Sequence, residues 1–88
     1  MISRAMEDYL KAIYKLQEIG ETATNSSIAK WLGIAPASVT KMIKRLAHMD
    51  LVKHEPYHGE TLTPRGKEYA AEVIRYHRLI ELFFTKVL

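Results

Sequence analysis

The sequence predicts a winged helix-turn-helix, mainly α with one small β-hairpin, followed by a long closing helix. Three observations carry that prediction. Three amphipathic stretches of helical period occupy residues 3–49, a Gly33-Ile34-Ala35-Pro36 turn separates the second from the third, and turn residues Pro56-Tyr57-His58-Gly59 interrupt a short extended run.

Ser3 is placed to cap a first helix running to about Ile19 and ended by Gly20. Met6, Tyr9, Leu10, Ile13 and Leu16 follow the i, i+3, i+4, i+7 pattern of one buried face. Asn25 or Ser26 caps a short second helix through Trp31 and Leu32, with Ile28 and Trp31 as core anchors. Gly33 suits a left-handed helix end, and Pro36 presets φ for the first turn of a third helix. There Val39, Met42, Ile43, Leu46 and Met49 form the buried stripe. Leu51 to Glu55 reads as a strand and Thr61 to Thr63 as its partner. Thr63-Pro64 is a second cap-plus-proline signal, opening a helix from about Pro64 to the end of the chain.

Residues 1–64 thus form the winged helix-turn-helix domain, and residues 65–88 a long helix leading out of it. The closing LIELFFTKVL carries Phe83, Phe84, Val87 and Leu88, which cannot all face a core this small. They are expected to pack against a partner chain or a further domain.

Composition narrows the function classes. Eighty-eight residues allow one small domain that buries about 60% of its unfolded surface. With 48% hydrophobic and 26% charged residues the chain is globular rather than disordered. No apolar run approaches the roughly 18 residues of a membrane span, and no basic-plus-apolar leader is visible. The absence of cysteine excludes disulfides and thiolate metal sites and fits a reducing cytoplasm.

The net charge of +3 is mild, but its placement is uneven. Residues 36–53 set Lys41, Lys44, Arg45 and Lys53 against Asp50 alone, a local balance of +3, whereas residues 1–20 balance to zero. Such concentration is the footprint of a nucleic-acid binder, although a solvated helix face looks the same by charge alone.

At about 100° per residue, the third helix turns Ala37, Lys41, Lys44 and His48 to the side opposite its apolar stripe. Thr40 and Arg45 flank them, and Ser38 lies on the first turn. In helix-turn-helix proteins the N-terminal part of this helix approaches base edges in the major groove of double-stranded DNA. Ala37 and the Thr40 methyl can meet a thymine methyl, Ser38 and Thr40 can bond a base or phosphate, and Lys41 can reach guanine O6 or N7. Lys44 and Arg45 are placed for phosphates. On the wing, Lys53, His54, Tyr57 and His58 either touch phosphates and the minor groove or simply close the hairpin.

His77 and Glu81 lie four apart on the last helix, in a stripe with Ala70, Val73, Ile74, Phe84 and Leu88. A carboxylate among apolar side chains is costly unless paired. The pair can chelate Mn²⁺, Fe²⁺ or Zn²⁺ through nitrogen and oxygen, or be an ordinary half-buried His–Glu contact. Asp8 sits on the wet side of the first helix, one turn from Lys11, where an exposed Asp–Lys pair is the simple account.

The segments MEDYLKAIYKL, SSIAKWLGIAPASVTKMIKRL, the hairpin ending LTPRG and the closing RYHRLIELFF occur in order across essentially the whole chain. Together they resemble the diphtheria-toxin-repressor family of metal-dependent regulators, which includes the manganese transport regulators. The resemblance implies a cytoplasmic homodimeric repressor that binds a palindromic operator when loaded with Mn²⁺ or Fe²⁺ and shuts off metal-uptake genes. It implies Asp8, His77 and Glu81 as metal ligands, with the hard oxygen of Asp8 favouring Mn²⁺. Lys11 departs from the two-domain manganese regulators, which carry a glutamate ligand there, and looks more like members with a third domain. The remaining ligands and the dimer contact are implied to lie beyond Leu88, so these 88 residues are expected to bind metal weakly or not at all. In the implied mechanism, metal joins the first helix to the dimerisation domain and sets the spacing of two recognition helices.

Two rivals stand beside this reading: a metal-independent winged-helix regulator answering to a small organic ligand, and a protein-interaction winged helix using the apolar end of the last helix. The sequence shows no nucleophile–base arrangement and no phosphate-cradling glycine loop, so it predicts no enzyme.

Overall fold

A computed structural model describes residues 2–87, with side chains described as far as Phe84. The chain runs α1 (Arg4–Glu18), α2 (Asn25–Leu32), α3 (Pro36–His48), β1 (Val52–Glu55), β2 (Gly59–Leu62) and α4 (Pro64–Val87). This is the predicted order of a winged helix-turn-helix with a long closing helix.

Local chemistry accounts for the boundaries. Ser3 is extended and its hydroxyl accepts from the Met6 amide at 3.2 Å, a helix N-cap. At α2 the cap is Thr24, one residue before the expected Asn25 or Ser26. Thr24 and Ser27 form a reciprocal capping box, with Ser27 N–H donating to Thr24 Oγ1 at 3.0 Å and Thr24 N–H to Ser27 Oγ at 2.8 Å. Gly33 closes α2 at φ 68°, the left-handed geometry that glycine adopts without strain. Pro36 then opens α3 at its first helical position.

The wing is an antiparallel pair with Val52 opposite Leu62 and Glu55 opposite Gly59. Its second strand starts two residues earlier than predicted and stops before Thr63, because Thr63 is committed to α4. The Thr63 hydroxyl donates to the Asp50 carbonyl at 2.6 Å and accepts from Gly66 N–H at 3.0 Å. A parallel bridge from Ala23 to Gly59, with Glu60 N–H on the Ala23 carbonyl at 2.8 Å, ties the α1–α2 loop to the wing.

Leu10, Ile13, Ile28, Val39, Leu46 and Leu51 are wholly buried where α1, α2, α3 and the wing converge. Trp31 does not join them as expected and is 50% exposed. The eight-residue α2 buries Ile28 and Ala29 and half-buries Leu32. At about 100° per residue, Trp31 falls well off that face.

Tyr9 is in the core at 5% exposure, and burial raises its phenol pKa above the usual 10.0. Folding therefore favours the neutral phenol. That contribution is complete below the unfolded value of about 10 and is lost as pH rises through the higher folded value. Thermal melts should show stability falling above about pH 10, and Tyr9→Phe should flatten that alkaline decline. An unchanged slope would show that Tyr9 is not its source.

α4 packs along α1 and touches the wing. Ala70 is buried, and Val73, Ile74, His77 and Ile80 are half-buried. Glu81 is exposed, not set among buried apolar groups as the sequence stripe suggested, because Ile80 rather than Glu81 continues the inward face. Leu79, Leu82, Phe83 and Phe84 are 55–64% exposed, matching the expectation for this end. The side chain of Val87, and Leu88 altogether, lie outside the described residues. No helix of the described residues is long and apolar enough to cross a membrane.

Candidate nucleic-acid interface and metal centre

The recognition surface is built on α3. Val39, Ile43 and Leu46 are buried, which turns Ala37, Ser38, Thr40, Lys41, Lys44, Arg45 and His48 to solvent. Ser38, Lys41, Met42, Lys44 and Arg45 line a shallow groove of about 440 Å³ along the helix. Among the described residues, the ion pairs are Lys15–Glu18, Lys53–Glu55 and His54–Glu60. Lys41, Lys44 and Arg45 are in none of them. Three uncompensated cations on one exposed face create the potential that attracts a polyanion.

Thr40 is less available than the sequence suggested. Its hydroxyl donates to the Pro36 carbonyl at 3.2 Å and accepts from Asn25 Nδ2 at 3.1 Å. That bond braces α3 against α2 and leaves mainly the Thr40 methyl for an incoming base. Position in the sequence points Asn25 to the helix cap rather than to a brace. The role becomes visible only when residues 25 and 40 meet in space.

On the wing, Lys53 Nζ lies 3.0 Å from Glu55 Oε1, which holds the Glu55 carboxyl below its ordinary range, first by hydrogen bonding and then by charge. Lys53 is thus partly neutralised. His54 Nδ1 lies 3.0 Å from the Glu60 carboxylate, whose side chain is nearly buried. Tyr57 is 99% exposed at the tip and holds φ 68°, a costly conformation for a residue with a side chain. His58 is exposed beside it. Among the described residues nothing covers the Tyr57 ring.

The three expected metal ligands do not all meet. His77 and Glu81 line one groove of about 580 Å³ between α1 and α4, together with Arg4, Glu7, Tyr76 and Ile80. Asp8 is exposed on α1 and is not part of that lining; the α1 carboxylate there is Glu7. No cluster of three or more His, Asp or Glu side chains able to hold one ion occurs among the described residues. The donors that do converge, one imidazole and carboxylate oxygens, have the right chemistry for Mn²⁺, Fe²⁺ or Zn²⁺ but fall short of a full set.

The Asp8–Lys11 pair does not form either. Lys11 turns across the interface instead, and its Nζ lies 3.1 Å from His77 Nδ1. Spacing along α1 pointed Lys11 at Asp8. Only the packing of α4 against α1 offers it a partner 66 positions away.

Comparison with known proteins agrees with this architecture. Residues 1–60 match the family described as iron dependent repressor, N-terminal DNA binding domain. An uncharacterized HTH-type transcriptional regulator of Methanocaldococcus jannaschii is 38% identical over 88 residues, which cover 99% of this chain and 70% of that one. The HTH-type transcriptional regulator MntR of Bacillus pumilus is 40% identical over 83 residues, covering 94% of this chain but 58% of that one. The solved structure of the manganese regulator SloR superposes with a TM-score of 0.82 at 40% identity, over 92% of this chain and 38% of that one. The chain therefore spans only part of the length of these longer regulators. With the helix-turn-helix, the wing and the match all in register, the chain belongs to the iron-dependent (diphtheria-toxin) repressor family and carries its N-terminal DNA-binding domain.

Proposed function

We propose that this chain is the operator-binding part of a cytoplasmic, homodimeric repressor that responds to Mn²⁺ or Fe²⁺ and controls metal-uptake genes. The observation that carries the DNA half is the uncompensated cluster of Lys41, Lys44 and Arg45 on the exposed face of α3. In this reading Ala37, Ser38 and the Thr40 methyl meet base edges, and Lys41 reads a guanine. Lys44 and Arg45 hold phosphates, while the wing adds Tyr57, His58 and a partly neutralised Lys53. The winged helix-turn-helix occupies residues 1–64, and residues 65–88 lead toward the dimerisation region.

The metal half rests on family membership and on the manganese regulators among the relatives. His77 and Glu81 are the residues of this chain placed to hold an ion, with Asp8 one helix face away. The remaining donors and the dimer contact belong to residues beyond Leu88. The exposed Leu79, Leu82, Phe83 and Phe84 are the surface against which that region packs.

The test is selection of binding sites from a random pool of DNA duplexes by the intact protein, with and without Mn²⁺. A palindromic site retained only with metal, and released by a chelator and by rising salt, is the expected result. Selection that survives chelation would point to a metal-independent regulator. Retention of no duplex at low salt would favour the protein-interaction alternative.

A further inference from the structure

We infer that Asn25 on α2 is a positioning residue for DNA reading by α3. It holds Thr40 in one rotamer and so fixes a thymine preference at one base pair of each half-site. The inference deepens the DNA-reading role proposed for α3 and rests on it. Asn25 Nδ2 donates to Thr40 Oγ1 at 3.1 Å, and Thr40 Oγ1 donates to the Pro36 carbonyl at 3.2 Å. Asn25 is half-buried, whereas Thr40 is exposed next to Lys41.

Two hydrogen bonds on one hydroxyl decide what Thr40 can offer. Its only proton is committed to Pro36, so it has none to donate to a base acceptor or a phosphate. Turning the Asn25 amide over would set its oxygen against Thr40 Oγ1, two acceptors with no proton between them. The amide therefore keeps Nδ2 on Thr40, although its own Oδ1 is shut off from solvent with no hydrogen-bond partner among the described residues. An acceptor left in that state is costly, which marks the amide as held by the Thr40 contact rather than free to turn.

Rotamer choice follows from the same bonds. Threonine in a helix divides between two χ1 rotamers, because its hydroxyl can bond the carbonyls of the preceding turn. The bond to Pro36 alone leaves that choice open. A donor anchored on another helix closes it, since Asn25 selects the rotamer that keeps Oγ1 within its reach. What remains for a base is a methyl in one fixed place. Apolar contact with the C5-methyl group is a mark by which thymine is told apart in the major groove. Asn25 thus acts on the base only through Thr40.

The test scans the duplex selected by the intact protein, replacing each thymine singly, in both half-sites, by deoxyuridine. That change removes the C5-methyl and nothing else. Wild type should lose about fourfold in affinity per half-site at one thymine, the worth of one buried methyl-sized group. Asn25→Ala should lose that penalty while keeping its preferences at other positions, because Thr40 is then free to turn its methyl away. Adding Thr40→Val to Asn25→Ala should restore the penalty, since valine in a helix keeps essentially one rotamer without help from residue 25. A penalty that persists in Asn25→Ala, or one that Thr40→Val fails to restore, overturns the inference and leaves DNA reading by α3 standing. So does a wild-type protein indifferent to every thymine methyl. Weakening of Asn25→Ala that is equal at all positions shows a purely structural brace and overturns the inference as well. Retention of no duplex overturns both readings. Three-bond couplings to the Thr40 methyl carbon need no variant: one rotamer is expected in the DNA-free wild type, and averaging over two overturns the inference.

Discussion

Gly66→Ala is expected to destabilise the chain by about 2 kcal/mol net, although it places a better helix former in the first turn of α4. A methyl at this position would strike the Leu51 carbonyl oxygen and crowd the Leu51 backbone behind it. A flexible side chain could move aside, but this obstacle is backbone. It is held by Thr63 N–H, which donates to the same Leu51 carbonyl at 3.1 Å, while Thr63 Oγ1 binds the Asp50 carbonyl. Replacing a glycine by alanine inside a helix gains at most about 1 kcal/mol, and less in the first turn. Overpacking costs about 1–3 kcal/mol where neighbours can adjust and more where they cannot, so the clash wins. Urea unfolding with an unchanged m-value and a lower midpoint is the expected signature. A Gly66→Ala protein as stable as wild type would mean that α4 can shift off the wing at little cost.

Lys41→Ala should weaken binding to the selected operator by about 1–3 kcal/mol per half-site, roughly 5- to 150-fold, and relax preference at one base pair. The residue is exposed, lies on the groove-lining face of α3 and has no ion-pair partner among the described residues. Its removal leaves the fold intact and deletes a contact rather than a brace. Lys44→Ala provides the contrast: as a phosphate contact it should weaken all sequences alike and lower the salt slope by about 1. If Lys41→Ala behaved like Lys44→Ala, the base-reading role of Lys41 would be withdrawn and α3 would enter the groove in a different rotation.

Most of the fold was legible because helical period, caps and turn residues are local physics. Ser3, Gly33, Pro36 and Pro64 act within a few residues of themselves, and each lies at the predicted boundary. The misplacements share a cause. Thr24 outcompetes Asn25 as a cap because Ser27 completes a capping box, while the Asn25 amide is drawn to Thr40. Period alone points Trp31 and Glu81 to buried stripes. Burial, however, depends on which face of each helix meets a neighbour: α2 turns Ile28, Ala29 and Leu32 inward and α4 turns Ile80, leaving Trp31 and Glu81 exposed.

By itself, then, the sequence determined the element order, the exposed basic face of α3 and the family. Each follows from residue type and short-range spacing. Tertiary structure alone decided which polar side chains far apart in the chain meet: Asn25 at Thr40 and Lys11 at His77, with Lys41, Lys44 and Arg45 in no ion pair among the described residues. Electrostatic interaction falls with distance in space rather than along the chain, and α1 meets α4 only after the core has formed. For that reason Lys11, expected beside Asp8, is found on the imidazole of a proposed metal ligand.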